Sequence, residues 1–144
     1  MGERDSYAPG TFCWIDLATP DAAGATAFYA ALFGWDPQEP VAEAHGYTML
    51  QLRGRDVAAL YEQGEAERSA GVPPHWSSYV SVIDVDESAA RVEGLGGKLL
   101  AGPYVVFDSG RVCTGSHASV CCSYRRDGAG AGRMAAVIKP RRRP

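Results

Sequence analysis

The sequence predicts an α+β protein of two tandem β-α-β-β-β modules that together form a curved mixed sheet. Three observations carry that reading. Residues 11–34, TFCWIDLATPDAAGATAFYAALFG, and residues 74–97, PHWSSYVSVIDVDESAARVEGLGG, follow one order 63 positions apart, aligning Asp21 with Asp84, Leu32 with Leu95 and Gly34 with Gly97. Each copy opens on a strand-like stretch, passes through an Asp-bearing helix start and reaches a glycine stop. Strand-like text follows both copies. A repeat of this kind constrains the fold more than any single motif. The resulting organisation is a first module over residues 10–62, a linker over 63–75, a second module over 76–126 with an atypical last hairpin, and a basic disordered tail over 127–144.

In the first module, residues 12–17 alternate: Cys13, Ile15 and Leu17 on one face, Phe12, Trp14 and Asp16 on the other. Thr19 is the expected N-cap, with Pro20 at the first helical position and Asp21 favouring the positive helix end. Ala22, Ala25, Phe28, Tyr29 and Leu32 are spaced as one apolar stripe, and Gly34 stops the helix. The prolines of WDPQEPVAEA allow only an edge strand. Two strands follow, over residues 47–53 and 56–61, joined by a turn at Gly54-Arg55. The next stretch, EQGEAERSAGVPPH, reads as linker.

The second module repeats the scheme. Val80 and Val82 face its helix; Ser77, Tyr79 and Ser81 face away. Asp84 with Glu87 three residues on resembles a capping box, and Gly96-Gly97 ends the helix. Strands are expected over residues 98–106, 110–114 and 119–124.

At 144 residues, with 46% hydrophobic and 22% charged residues, the composition is that of a soluble globular domain. No apolar run reaches the roughly 18–20 residues that span a bilayer. The start, MGERDSYAPG, lacks the apolar segment of a secretory signal. Cys13, Cys113, Cys121 and Cys122 form no C-x-x-C pair, so buried thiols in a cytoplasmic protein are expected. Charge is split: 6 Lys/Arg stand against 16 Asp/Glu through Asp108, and 8 against 1 afterwards. That basic end reads as a solvated tail; neither nucleic acid nor a membrane is an expected partner.

The strand faces opposite the helices decide function. They carry Phe12, Trp14, Asp16, Tyr47, Met49, Gln51, Val57, Ala59, Tyr61, Ser77, Tyr79 and Ser81. Such a mixture, aromatic and sparsely polar, suits a small-molecule cup between the modules.

A doubled module with a T-P-D…A-F-Y…L-F-G-W opening resembles the vicinal oxygen chelate superfamily, which includes glyoxalase I, extradiol dioxygenases, fosfomycin-modifying enzymes and bleomycin-binding resistance proteins. The segments Trp14-Ile15-Asp16-Leu17 and Pro73-Pro74-His75-Trp76 resemble an actinobacterial-type subgroup, and the resemblance covers residues 10–112. It implies dimerisation in many members, and in the enzymes one divalent metal held by a ligand on the first and last strand of each module. Those four positions fall near Trp14, Ala59, Ser77 and Cys122, none a His or a carboxylate. His75 lies two residues off register; His45 and His117 lie in loops. No metal or other cofactor is therefore expected.

What remains is metal-independent binding or sequestration of a small aromatic or hydrophobic molecule, as in the bleomycin-type resistance proteins. Trp14, Trp76, Tyr47, Tyr61 and Tyr79 are the expected stacking faces beside Met49, with Asp16 and Gln51 orienting the ligand. The alternative is a lyase, isomerase or dioxygenase-like enzyme of the same superfamily, with Asp16 as a proton-transfer group but no second positioned group beside it. A third reading is a damaged or regulatory relative. Asp108–Val112 keeps the superfamily's closing pattern, and the sequence then departs into CTGSHASVCCSYRRDGAGAGR, as an out-of-frame reading of GC-rich DNA would.

Overall fold

In the computed structural model, the structure describes residues 6–106, 110–116 and 120–123. The expected tail over 127–144 lies outside the described residues. The described residues divide into two units: Trp14–Ser77, and residues 6–13 with the described residues from Ser78 onward.

The first strand, β1 (Phe12–Thr19), leads into helix α1 (Ala22–Phe33). The N-cap is Asp21, not Thr19 as the sequence suggested: its Oδ1 accepts from the Gly24 N–H at 2.8 Å. The cause is Pro20, which holds the residue before it extended. Thr19 thus stays in β1, paired with Glu62, and its hydroxyl accepts from the Asp21 N–H at 3.3 Å. Gly34 closes α1 with φ 67°, a left-handed conformation that glycine adopts without cost.

The proline-rich stretch after α1 yields a two-residue strand, β2 (Asp36–Pro37), then a single 3-10 turn over Ala42–Ala44. Strands β3 (Thr48–Leu52) and β4 (Arg55–Glu62) form a hairpin. Its turn is Arg53-Gly54, one residue earlier than the sequence reading. Both residues have positive φ, 54° and 74°, as a two-residue turn matched to strand twist requires. β1 pairs in parallel with β4, β4 antiparallel with β3 and β3 with β2, giving a mixed order β2-β3-β4-β1.

One face of this sheet meets α1. Leu17, Leu50, Ala58 and Leu60 are buried there, with Ile15, Ala22, Ala25, Tyr29 and Trp35 packed against them. The expected apolar stripe on α1 is only partly used: Phe28 and Leu32 are 58% and 56% exposed. The stretch expected to be linker contains a short helix, α2 (Glu65–Ser69). Buried Gln63 ties its far end down, its amide donating to the carbonyls of Val72 and Pro73, each at 3.2 Å.

The second unit takes most of β5 (His75–Ser81), then helix α3 (Val85–Gly94) and strands β6 (Leu99–Val106), β7 (Gly110–Gly115) and β8 (Val120–Ser123). β5 runs parallel to β8, and β7 runs antiparallel to both β8 and β6. Asp84 repeats the work of Asp21, accepting from the Glu87 N–H at 2.9 Å. The helix ends in a Schellman motif: Gly96 has φ 82°, its N–H reaches Glu93 O, and the Gly97 N–H reaches Val92 O. Val85, Ala89 and Cys113 form the core, joined by Val82 and Leu99. Gly102 is required at the irregularity in the β6–β7 pairing, because a Cβ there would stand 2.6 Å from the Val112 carbonyl oxygen. Gly10 and Thr11 also belong to this unit, with backbone bonds from Gly10 N–H to Ser81 O and from Ser81 N–H to Thr11 O.

Urea unfolding separates cap from core. Asp21→Ala is expected to cost about 1 kcal/mol, the value of one side-chain cap. Leu60→Ala, at a fully buried position, is expected to cost about 2–5 kcal/mol. Equal losses would contradict this division.

Candidate ligand-binding site

The face of the first unit's sheet opposite α1 gathers five of the eight residues singled out in the sequence. Alternation along β1 puts Trp14 and Asp16 on the same side. The register Asp16↔Ala59 and Met49↔Ala59 sets Met49 and Asp16 on either side of Ala59, whose small side chain is wholly buried. Tyr47, just before β3, stacks on Tyr61 of β4 with ring centroids 6.0 Å apart and planes 18° from parallel.

The Tyr47 hydroxyl joins this cluster. It accepts from the Trp14 indole N–H at 3.0 Å and donates to Asp16 Oδ2 at 3.1 Å. Asp16 and Tyr47 are 2% and 7% exposed, whereas Trp14 and Tyr61 are half-buried and keep part of their surface open. Burial and then the nearby Asp16 carboxylate push the Tyr47 phenol well above its usual range, with the Trp14 hydrogen bond opposing. Burial, Asp16 and Glu67 raise the Tyr61 phenol as well. Both therefore stay protonated at neutral pH, and Tyr47 keeps its donor role toward Asp16. A buried carboxylate that accepts a phenolic hydrogen bond in this way holds the aromatic frame in place.

The other three residues do not join this hydrogen-bonded cluster. A β-bulge in the β3–β4 pairing makes Val57 the extra residue, so Gln51 pairs with Asp56 and its amide donates to Asp56 Oδ1 at 2.8 Å. Trp76 turns to helix α1: its indole N–H donates to the Tyr29 hydroxyl at 3.1 Å, and the two rings meet edge to face at 5.3 Å. Tyr79 belongs to the second unit, where its carbonyl accepts from the Cys13 thiol at 3.4 Å. The sequence reading missed Tyr29 as the partner of Trp76. The signal was present in the crowding of Phe28, Tyr29, Phe33 and Trp35 around one helix end.

Two of the four expected metal positions supply no ligand atom. The Trp14 indole offers only an N–H, already donated to Tyr47, and Ala59 offers no donor atom. His75 Nδ1 lies 2.9 Å from Pro73 O. Among the described residues, no three of His, Cys, Asp and Glu come together as a metal site. Among them, too, no helix is long and apolar enough to cross a membrane.

A sheet of this topology with a helix on one face and an aromatic, hydrogen-bonded cluster on the other defines a protein of the vicinal oxygen chelate fold. The sequence pattern of the Glyoxalase/Bleomycin resistance protein/Dioxygenase superfamily matches residues 11–118, and the chain belongs to that superfamily. It is 37% identical over 114 residues to CFP32 of Mycobacterium tuberculosis (strain CDC 1551 / Oshkosh), named provisionally as a glyoxylase, covering 78% of this chain and 43% of that one. It is 34% identical over 122 residues to the anthracycline biosynthesis protein DnrV of Streptomyces peucetius, covering 74% and 42%. The chain thus spans less than half the length of these curated relatives. Methylmalonyl-CoA epimerase from Mycobacterium tuberculosis superposes with a TM-score of 0.54 at 14% identity, covering 78% of this chain and 84% of the epimerase. Protein BH1468 of Bacillus halodurans C-125 superposes at 0.59 and 13%, covering 84% and 99%. At such identities the likeness is one of fold.

The raised Tyr47 phenol has a consequence for stability. Its folded pKa lies above the usual 10.0, so its contribution is complete below pH 10 and is lost as pH rises beyond it. Thermal unfolding between pH 8 and 11.5 is expected to weaken steeply above pH 10 in the parent protein and less steeply in Tyr47→Phe. At neutral pH that substitution is expected to cost about 1–3 kcal/mol, since a buried carboxylate loses a donor. Parallel pH profiles would show that Tyr47 is not held as described.

Proposed function

We propose that this chain binds a small, flat aromatic or hydrophobic molecule without a metal, by stacking on Trp14 and Tyr61. The observation that carries the reading is the bond series Trp14–Tyr47–Asp16. It holds the partly open Trp14 face on a buried polar anchor, and Tyr47 stacks on the partly open Tyr61 ring, before any ligand arrives. Such preorganisation reduces the entropy lost on binding. Asp16 is buried, so its part is to hold Tyr47 rather than to touch the ligand. DnrV is named for anthracycline biosynthesis, and anthracyclines are flat polycyclic aromatics, which supports this ligand class. Capture without conversion would give the sequestering role expected from bleomycin-type resistance proteins. The buried thiols Cys13 and Cys113 support a cytoplasmic setting, where thiols stay reduced.

A second reading is turnover, by a lyase, isomerase or dioxygenase-like reaction. One observation favours it: a carboxylate hydrogen-bonded to a phenol is a pair able to exchange a proton with a bound molecule.

Tryptophan fluorescence titrated with flat aromatic antibiotics, an anthracycline among them, tests the proposal. Saturable quenching that EDTA leaves unchanged is the expected result. Trp14→Ala is expected to weaken binding by about 2–4 kcal/mol, the loss typical of a central aromatic anchor. Trp76→Phe is expected to leave affinity intact, because that indole is engaged with Tyr29. A response that appears only after adding Zn²⁺, Mn²⁺ or Fe²⁺ would overturn the metal-free reading. Conversion of the ligand by the parent protein and not by Asp16→Asn would establish the second.

A further inference from the structure

We propose, resting on the binding site just described, that the flat ligand held on Trp14 and Tyr61 carries a protonated amine. Glu67 is the residue that selects for it.

Gln63 brings Glu67 to the site. Tyr61 and Gln63 stand two residues apart along the run of β4, so alternation puts both on the face opposite α1. The Gln63 N–H continues the ladder to Thr19 O at 2.9 Å. Its buried side-chain amide donates to the carbonyls of Val72 and Pro73, which draws the stretch carrying α2 back to that face. Within this stretch Glu67 is half-buried, whereas Glu65 is exposed. The Glu67 Oε2 accepts from the Gly64 N–H at 3.1 Å, so the carboxylate is held in place.

Charge points the same way. Between Trp14 and Ser77 the sequence carries nine Asp/Glu against Arg53, Arg55 and Arg68, with no Lys. Arg68 is taken by Glu62 and Glu65, at 2.9 and 3.1 Å. Arg53 and Arg55 lie at the turn end of the β3–β4 hairpin. Arg55 is six residues along β4 from Tyr61, roughly 20 Å at the rise of a strand. That exceeds the ~8 Å over which physiological salt screens a charge. Among the described residues, no Lys or Arg pairs with Glu67. The Tyr61 ring feels both carboxylates: after burial, Asp16 and then Glu67 raise its phenol.

A protonated amine on a flat ring suits this setting. The ring stacks on aromatic faces that also attract cations, and the ammonium lies in the field of two carboxylates. Asp16 is 2% exposed and acts through that field alone, whereas Glu67 keeps surface open to a ligand. A ligand bearing a phosphate or carboxylate would meet the same two anions and no free cation.

Three anthracenes substituted on the central ring, with an aminomethyl, a hydroxymethyl or a carboxylate group, keep the ring and vary the charge. Anisotropy of the anthracene's own fluorescence follows their binding to the full chain at neutral pH. The amine is expected to bind about tenfold tighter than the alcohol in low salt, with the carboxylate weakest. The gap should narrow in about 0.5 M NaCl. Glu67→Gln keeps an acceptor for the Gly64 N–H and should shrink the preference for amine over alcohol about threefold. Glu67→Lys should shift the preference toward the carboxylate. Should either variant fail to fold, the other decides, together with the parent protein's ranking and its salt dependence. Equal affinity for all three would overturn the selection of a cation and leave the flat-aromatic reading standing. An amine preference untouched by both variants would overturn the role of Glu67. Failure of all three to bind would remove the binding reading itself, and the selection with it.

Discussion

A single phenolic oxygen organises the first unit's open sheet face. The Tyr47 hydroxyl lies between the Trp14 indole and the Asp16 carboxylate, accepting from one and donating to the other. Each group alone would be costly in its position. A buried carboxylate needs a donor, a buried phenol needs a partner, and an indole N–H facing a sheet needs an acceptor. Together they satisfy one another, and β1 is thereby joined to the approach of β3 by side chains as well as through β4. Stacking of Tyr47 on Tyr61 extends the restraint to β4. The aromatic faces at this site therefore have little freedom left to lose.

The two modules share their local devices and differ in what those devices support. Asp21 and Asp84, aligned by the repeat, cap their helices through the same kind of carboxylate-to-backbone bond. Beyond the caps the copies diverge. α1 is uncharged and surrounded by aromatics, whereas α3 carries Asp86, Glu87, Arg91 and Glu93 and buries Val85 and Ala89. The two copies share a frame and differ in their surfaces. In the first copy, one sheet face carries the hydrogen-bonded aromatics and the helix on the other side carries an apolar patch.

Features set by neighbouring residues were readable in the sequence. The helix stops at Gly34 and at Gly96-Gly97 follow from glycine's access to positive φ, and the alternation of β1 placed Trp14 and Asp16 together. Features set by pairing were not. A period of two cannot reveal the bulge that takes Gln51 to Asp56. Nor could it foresee that Trp76, on a strand opening the second module, would reach back to Tyr29. The stripe assigned to α1 erred for another reason. When nearly every residue of a helix is apolar, periodicity offers no single face, and Phe28 and Leu32 fit the pattern while facing outward.

The most direct test of the central claim is to follow the indole N–H of each of the three tryptophans by nitrogen-15 NMR, assigned by single Trp→Phe substitutions. If Tyr47 locks Trp14 as a ligand face, the Trp14 signal exchanges slowly with solvent in the free protein. It then moves when an anthracycline or another flat aromatic is added, while the Trp76 signal stays in place. A Trp14 signal that exchanges freely and ignores the ligand, with Trp76 responding instead, would contradict the account.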